Sequence, residues 1–147
     1  MIALACDHGG YALKEQVKAH LKELGHPVKD FGTDSLDSCD YPDFAAQAAK
    51  AVAAGTCEKG IVICTTGIGV SIVANKVPGI RCALCGNLFA AEMTRRHNDT
   101  NMLALGAGTT GSNLALAIVD KWLTTEFEGG RHQRRVDKIT AVEQGKL

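Results

Sequence analysis

Apolar residues in this chain fall in short unbroken runs, separated by longer stretches where they recur every three or four positions. Three such runs have the length and content of buried strands, Ile2-Ala3-Leu4-Ala5-Cys6, Ile61-Val62-Ile63-Cys64 and 102–105, and two shorter segments broken by charged residues, 28–31 and 80–84, read as further strands. Runs without polar alternation belong to strands covered on both faces, the situation inside a parallel sheet. Between them the spacing becomes helical. Leu13, Val17, Leu21 and Leu24 share one helix face, and Gly25 is a stop. Asp40-Tyr41-Pro42-Asp43 opens a second helix with Pro42 in its first turn, and an alanine-rich stretch carries it to about Ala54. Further helices are expected from Val70 to about Lys76, over 90–96, over 114–123, and in the polar segment beyond Glu126.

Strands and helices alternating at this spacing specify an α/β fold: a single-domain, Rossmann-like three-layer sandwich around a five-stranded parallel sheet. It is expected to span 1–147, with a helical tail from about residue 126. Ligands of such sheets bind beyond the carboxyl ends of the strands, where the strand order reverses. That rule gathers Asp7-His8, the segment Cys64 to Gly69 and the glycines after Leu105 on one rim.

Composition narrows the setting. A chain that is 46% hydrophobic and 22% charged is a soluble globular protein rather than a disordered one. Lysine plus arginine and aspartate plus glutamate both number 16, so no global field points to nucleic acid. No apolar run approaches the roughly 20 residues of a membrane span, and the first residues do not resemble a signal peptide. Six cysteines in a chain this rich in aliphatics read as thiols in a reduced, cytoplasmic setting, not as a disulfide framework. Cys82-Ala83-Leu84-Cys85 has the spacing of half a zinc site. It has no second pair and no nearby histidine, so no metal is expected there.

Chemistry concentrates at Cys64-Thr65-Thr66-Gly67-Ile68-Gly69. A strand feeding a glycine-rich turn and then a helix presents backbone N–H groups and a positive helix end to an anion. Here it also sets a thiol at the strand end, and the thiolate is the reactive form of cysteine. The turn lacks the third glycine of a dinucleotide fingerprint, with Ile72 in its place, and lacks the Gly-Lys-Ser/Thr ending of a nucleotide P-loop. Asp7 and His8 must emerge on the same rim. His97, between a helix and a strand, is a candidate acid or base. Arg131 and Arg135 share a face if the tail is helical, and two guanidiniums so placed suit a phosphate. The alternative for each is a packing thiol, an inert surface histidine or a solvated basic tail.

Five motifs in order along the chain resemble the type B ribose-5-phosphate isomerases, relatives of the galactose-6-phosphate isomerase subunits. They are Cys6-Asp7-His8-Gly9-Gly10, Asp40-Tyr41-Pro42, the stretch from Ile63-Cys64 to Ala74-Asn75-Lys76, His97-Asn98-Asp99-Thr100-Asn101, and Gly129-Gly130-Arg131-His132-Gln133 with Arg135. The resemblance implies a cofactor-free, metal-free aldose–ketose isomerase of the pentose phosphate pathway that interconverts ribose 5-phosphate and ribulose 5-phosphate through an enediolate. It implies Cys64 as base, His97 assisting ring opening with Asp7, and Thr66 relaying protons. The amides of residues 65–69 would stabilise the oxyanion, with Thr65, Gly67, Ile68 and Gly69 lining the sugar site beside Tyr41 and Asn98. His8, Arg131 and Arg135 would hold the phosphate. It also implies a homodimer with sites at the subunit interface. Two positions depart from the family pattern: Thr65 stands where a glycine is usual, and Gly108 where an arginine is usual. They leave open another phosphosugar, such as allose 6-phosphate, galactose 6-phosphate or a tetrose phosphate. A flavodoxin-like FMN carrier is the alternative of another class, and a silent ligand-binding module a third.

Overall fold

Strands and helices alternate along residues 1–147 of the structure, a computed structural model. Strands β1 (Ile2–Cys6), β2 (Val28–Asp30), β3 (Lys59–Cys64), β4 (Cys82–Leu84) and β5 (Met102–Gly106) form one parallel sheet in the order β2-β1-β3-β5-β4. Helices α1 (Tyr11–Glu23), α2 (Tyr41–Ala53), α3 (Ile68–Asn75) and α4 (Leu88–Asn98) link successive strands, and α5 (Ser112–Thr124) and α6 (Arg131–Glu143) follow β5. The α/β sandwich expected from the pattern is the one observed. From β1 the chain steps first to β2 on one side, then to β3 on the other. That reversal makes the gap between β1 and β3 the switch point of the sheet.

The unbroken apolar runs of β1, β3 and β5 are buried because each of these three central strands feeds two cores. Leu4, Ile61, Ile63, Leu103 and Leu105 face Leu13, Val17 and Leu21 of α1 and Ile118 and Trp122 of α5. Ala3, Ala5, Val62, Met102 and Ala104 face Ala45, Ala48 and Ala49 of α2 and Val70 and Ala74 of α3. Alanines on both sides of this second interface explain the alanine-rich helix: small facing residues close-pack without voids when helix and sheet approach. No helix is long and apolar enough to cross a membrane.

Several boundaries differ from the apolar pattern by about two residues, β3 starting at Lys59, α3 at Ile68 and α5 at Ser112 among them, and two have a local hydrogen-bonding reason. Strand β4 begins at Cys82 rather than Ile80, because the Arg81 N–H donates to Asn101 Oδ1 at 2.8 Å and the ladder starts at the Cys82–Met102 pair. Helix α4 begins at Leu88 rather than residue 90, because Asn87 Oδ1 accepts from the Ala90 N–H at 2.8 Å as an N-cap.

One buried charge ties α1 to the edge of the sheet. The Lys14 side chain is fully buried, and its Nζ donates to both carboxylate oxygens of Asp30 at 2.8 Å and to the Thr33 carbonyl at 2.7 Å. Lys18 donates to the same carboxylate at 2.8 Å. Burial alone would raise the Asp30 pKa, but the hydrogen bonds from Lys14 and Lys18 outweigh it and hold the carboxyl below its ordinary value. Replacing Asp30 by Ala leaves the buried Lys14 ammonium only the half-exposed Glu15 carboxylate, 3.7 Å away, and should cost about 3 kcal/mol of stability. Urea denaturation at pH 7 measures it. A depressed carboxyl contributes stability above its unfolded pKa and loses it as pH falls through the folded value. The deficit of Asp30→Ala should therefore shrink in acid; an unchanged midpoint at pH 7 would remove the pair from the support of the fold.

Candidate active site

The rim at the carboxyl ends of β1 and β3 is built from two turns. After β1, Asp7 Oδ1 accepts from the N–H groups of Gly9 and Gly10 at 3.0 and 3.2 Å, capping a short 3-10 turn over His8–Gly10. The cap fixes a mostly buried carboxylate at the rim, and its Oδ2 is not used by the turn. His8 Nδ1 accepts from the Cys39 N–H at 3.3 Å, which puts the ring proton on Nε2 as a free donor. The loop holding Cys39 follows Thr33, whose carbonyl accepts from Lys14 Nζ at 2.7 Å.

After β3 the chain turns through Thr65 and Thr66 into α3. Gly67 is the N-cap of α3 and sits in the left-handed region at φ 77°, where an L side chain is strained. This conformation aims the Gly67 N–H back at the strand end, where it donates to Cys64 Sγ at 3.2 Å. The sulfur thus accepts a backbone hydrogen bond at a helix N-terminus, a setting that accommodates negative charge. Thr66 Oγ1 accepts from the Ile68 N–H at 3.2 Å, leaving its hydroxyl proton to turn outward. Gly69 is required by close approach, because a β-carbon there would lie 2.5 Å from the Tyr41 ring. Asp7, Tyr41, Cys64, Thr65, Thr66, Ile68, Gly69 and Ile72 line one cavity of about 440 Å³. All but Ile72, exposed on α3, are site candidates on sequence grounds.

Three of the other thiols are packing residues. Burial pushes Cys6 and Cys82 up to about 12 and Cys85 up to about 11, so all three stay protonated at neutral pH.

The remaining candidates lie elsewhere. Helix α4 runs antiparallel to the strands it connects, so its last turn, with His97 and Asn98, ends beside the amino end of β5. Cys64 pairs with Gly106 at the far end of that strand, about 13 Å of sheet away at ~3.3 Å per residue. His97 stacks on His132 of α6, with ring centroids 4.3 Å apart and planes 10° from parallel. Arg131 and Arg135, one turn apart and exposed, extend from the same end of α6. A second cavity, about 570 Å³, opens on this side between β4, α4 and α6, with Asn98 in its wall. The candidates of one chain therefore fall into two groups, two candidate half-sites, on opposite rims. Asp7, His8, Tyr41 and 64–69 form one, and His97, Asn98, Arg131 and Arg135 form the other.

The second half-site has partners that the apolar pattern did not mark. Glu128 accepts from Arg96 Nε at 2.5 Å and lies 3.5 Å from His132 Nε2. That hydrogen bond holds Glu128 below the ordinary carboxylate range despite its small desolvation. Burial, then the charge of His97, lowers the His132 pKa, while Glu128 opposes them. The ligating atoms of His97, Glu128 and His132 lie within 4.8 Å of one another. Stacked imidazoles point their nitrogens along parallel planes, however, and one ion cannot lie in both planes at the ~2.0–2.1 Å of a Zn–N bond. The cluster is better suited to orienting His97 than to holding a metal.

Known proteins share this fold. The family model described as Ribose/Galactose Isomerase matches residues 2–139. Ribose-5-phosphate isomerase B of Escherichia coli is 52% identical over 143 residues, covering 97% of this chain and 96% of the relative. The solved ribose-5-phosphate isomerase B of Clostridium thermocellum superposes with a TM-score of 0.97 at 54% identity, covering 99% of both chains. The Mycoplasma genitalium enzyme, solved with bound ribulose-5-phosphate, gives a TM-score of 0.94 at 41% identity over 97% of this chain and 95% of its own. Agreement across the whole length, in sequence and in backbone, places this chain in the ribose/galactose isomerase family.

Proposed function

We propose that this chain is an aldose–ketose isomerase that interconverts ribose 5-phosphate and ribulose 5-phosphate through an enediolate, with Cys64 as the base. Family membership supports the coarser activity, isomerisation of a sugar phosphate. The observation that carries the finer reading is the Cys64 thiol in the wall of the 440 Å³ cavity, accepting a hydrogen bond from the Gly67 N–H. In the open-chain aldose, the Cys64 thiolate takes the C2 proton as the electron pair moves through C1 onto the carbonyl oxygen. The proton returns to C1 as the C2–O bond closes to a ketone. N–H groups of the turn after β3 face the charge that develops on oxygen, where preorganised donors contribute a few kcal/mol each. The Thr66 hydroxyl carries a proton between O1 and O2. Asp7 and His97 assist ring opening, and His8, Arg131 and Arg135 hold the phosphate, with Tyr41 and Asn98 along the sugar.

These roles require both half-sites at one substrate, which a homodimer supplies when one protomer's His97 rim meets its partner's Cys64 rim. A two-fold interface does this twice by symmetry. Ile68 and Ile72, 53% and 54% exposed beside the cavity, and Phe89, 71% exposed on α4, are apolar surface such an interface would cover. A cytoplasmic enzyme of pentose phosphate interconversion fits these roles. The FMN-carrier alternative does not explain the arginine pair or a thiol at the strand end.

Cys64→Ala should lower kcat for ribose 5-phosphate by about 10²–10⁴-fold, the usual contribution of a positioned acid–base group, and abolish deuterium wash-in at the transferred carbon. Near-wild-type turnover would remove the thiol from the mechanism. Arg131→Ala should raise KM for the phosphorylated sugar by about 10–100-fold, as expected for a lost charge-assisted pair, and leave the free sugar unaffected; equal effects on both would exclude a phosphate role. Assayed at ribose 5-phosphate well below the wild-type KM, where each single variant is nearly silent, Cys64→Ala refolded together with Arg131→Ala should recover about a quarter of wild-type activity, since half the dimers are mixed and each has one intact site. No recovery would place all the residues of a site in one chain.

A further inference from the structure

Thr65 is exposed and directly follows the candidate base, yet two of its neighbours are positions without side chains. A β-carbon on Gly9 would lie 2.2 Å from Thr65 Oγ1, and one on Gly108 would lie 2.9 Å from Thr65 Cγ2 and 3.0 Å from the Thr65 carbonyl oxygen. The two branches of the side chain therefore fill the notch between the turns after β1 and β5, hydroxyl toward Gly9 and methyl toward Gly108. The Gly108 N–H donates to the Thr65 carbonyl at 2.7 Å, so the turn after β5 cannot withdraw from Thr65 without breaking that bond. On the other side, the Gly9 N–H donates to Asp7 Oδ1 at 3.0 Å, which fixes the shape of the turn after β1.

The contact also joins two features that look separate in the sequence. Thr65 and Gly108 are the positions that depart from the family pattern, and here they touch: a methyl on 65 and a side chain on 108 compete for one space. A wedge that served packing alone would be buried. Thr65 instead lines the cavity, with its backbone next to Cys64 and its hydroxyl aimed at the turn that carries His8. A substrate reaching from the thiol to that imidazole passes it.

We propose that Thr65, wedged between Gly9 and Gly108, gauges the length of the sugar phosphate that the site accepts, favouring five carbons over six. The proposal rests on the reading of this cavity as the isomerase site. Bulk at position 65 closes the space that an additional CHOH unit would occupy, and a single methylene in a fitted pocket discriminates about 10–200-fold.

Thr65→Ser keeps the hydroxyl and deletes the methyl that faces Gly108. It should raise the kcat/KM ratio of allose 6-phosphate over ribose 5-phosphate by about tenfold. Gly108→Ala alone should lower kcat/KM for ribose 5-phosphate by about tenfold. Added to Thr65→Ser, it should lower it by less than about threefold, because its methyl enters the vacated space. Thermal unfolding of each variant checks that it is folded, and the Thr65→Ser ratio stands even if Gly108→Ala is not. An unmoved ratio, or an equal Gly108→Ala effect in both backgrounds, overturns the gauge while wild-type turnover of ribose 5-phosphate keeps the parent reading. A wild-type chain inactive on ribose 5-phosphate brings down both.

Discussion

The parallel ladder of β1, β3 and β5 does not stop where the strands stop. The Asp7 N–H donates to the Ile63 carbonyl at 3.3 Å, Ala107 to Cys64 at 2.9 Å and Gly108 to Thr65 at 2.7 Å, so the hydrogen bonding runs on into the turns. Strands buried on both faces have their register locked by side-chain alternation, since a slip of one residue would exchange the two cores. The turns inherit that register. Asp7, Cys64 and the glycines after β5 are therefore held at one level across three strands, and the chemistry of the rim depends on this alignment more than on any single side chain.

The same ladder explains why a chain of this fold carries its candidates on two rims. A helix that links parallel strands runs back against them, so whatever ends α4 must arrive at the amino edge of the sheet. His97 and Asn98 are there for that reason, braced by the stack on His132 and by the Arg96–Glu128 pair. Within one chain the sheet separates them from Cys64. The proposed rim-to-rim association of two copies would join the halves without moving any strand, and the exposed isoleucines of α3 lie beside the cavity where that contact would form.

Much of this was legible in the residues. The three apolar runs and two shorter segments became the five strands, Pro42 stands in the first turn of α2, and Arg131 and Arg135 lie a turn apart on α6. Cys64 ends a strand and begins a glycine-rich turn, which marks it out from Cys39, Cys57, Cys82 and Cys85; Cys6 also ends a strand before two glycines, and its thiol, pushed up by burial, is set apart from Cys64 only in three dimensions. The stack of His97 on His132 was not legible, because nothing in either local segment reports the other. Nor was the start of β4, where a side chain from Asn101 takes the Arg81 N–H that an apolar pattern would assign to the ladder.

Periodicity, turn residues and one thiol at a strand end were enough to specify the α/β sheet and the rim that holds Asp7 and Cys64, because these are consequences of local spacing and of the alternation of strand and helix. Only the tertiary structure decided which distant residues meet. It set His97 on the rim opposite Cys64, and it brought Thr65 against Gly9 and Gly108, so that two departures in the sequence are a single contact in space. The physical reason is the same in both cases: strand order and crossover direction determine neighbours across the sheet, and neither is written in any one segment of the chain.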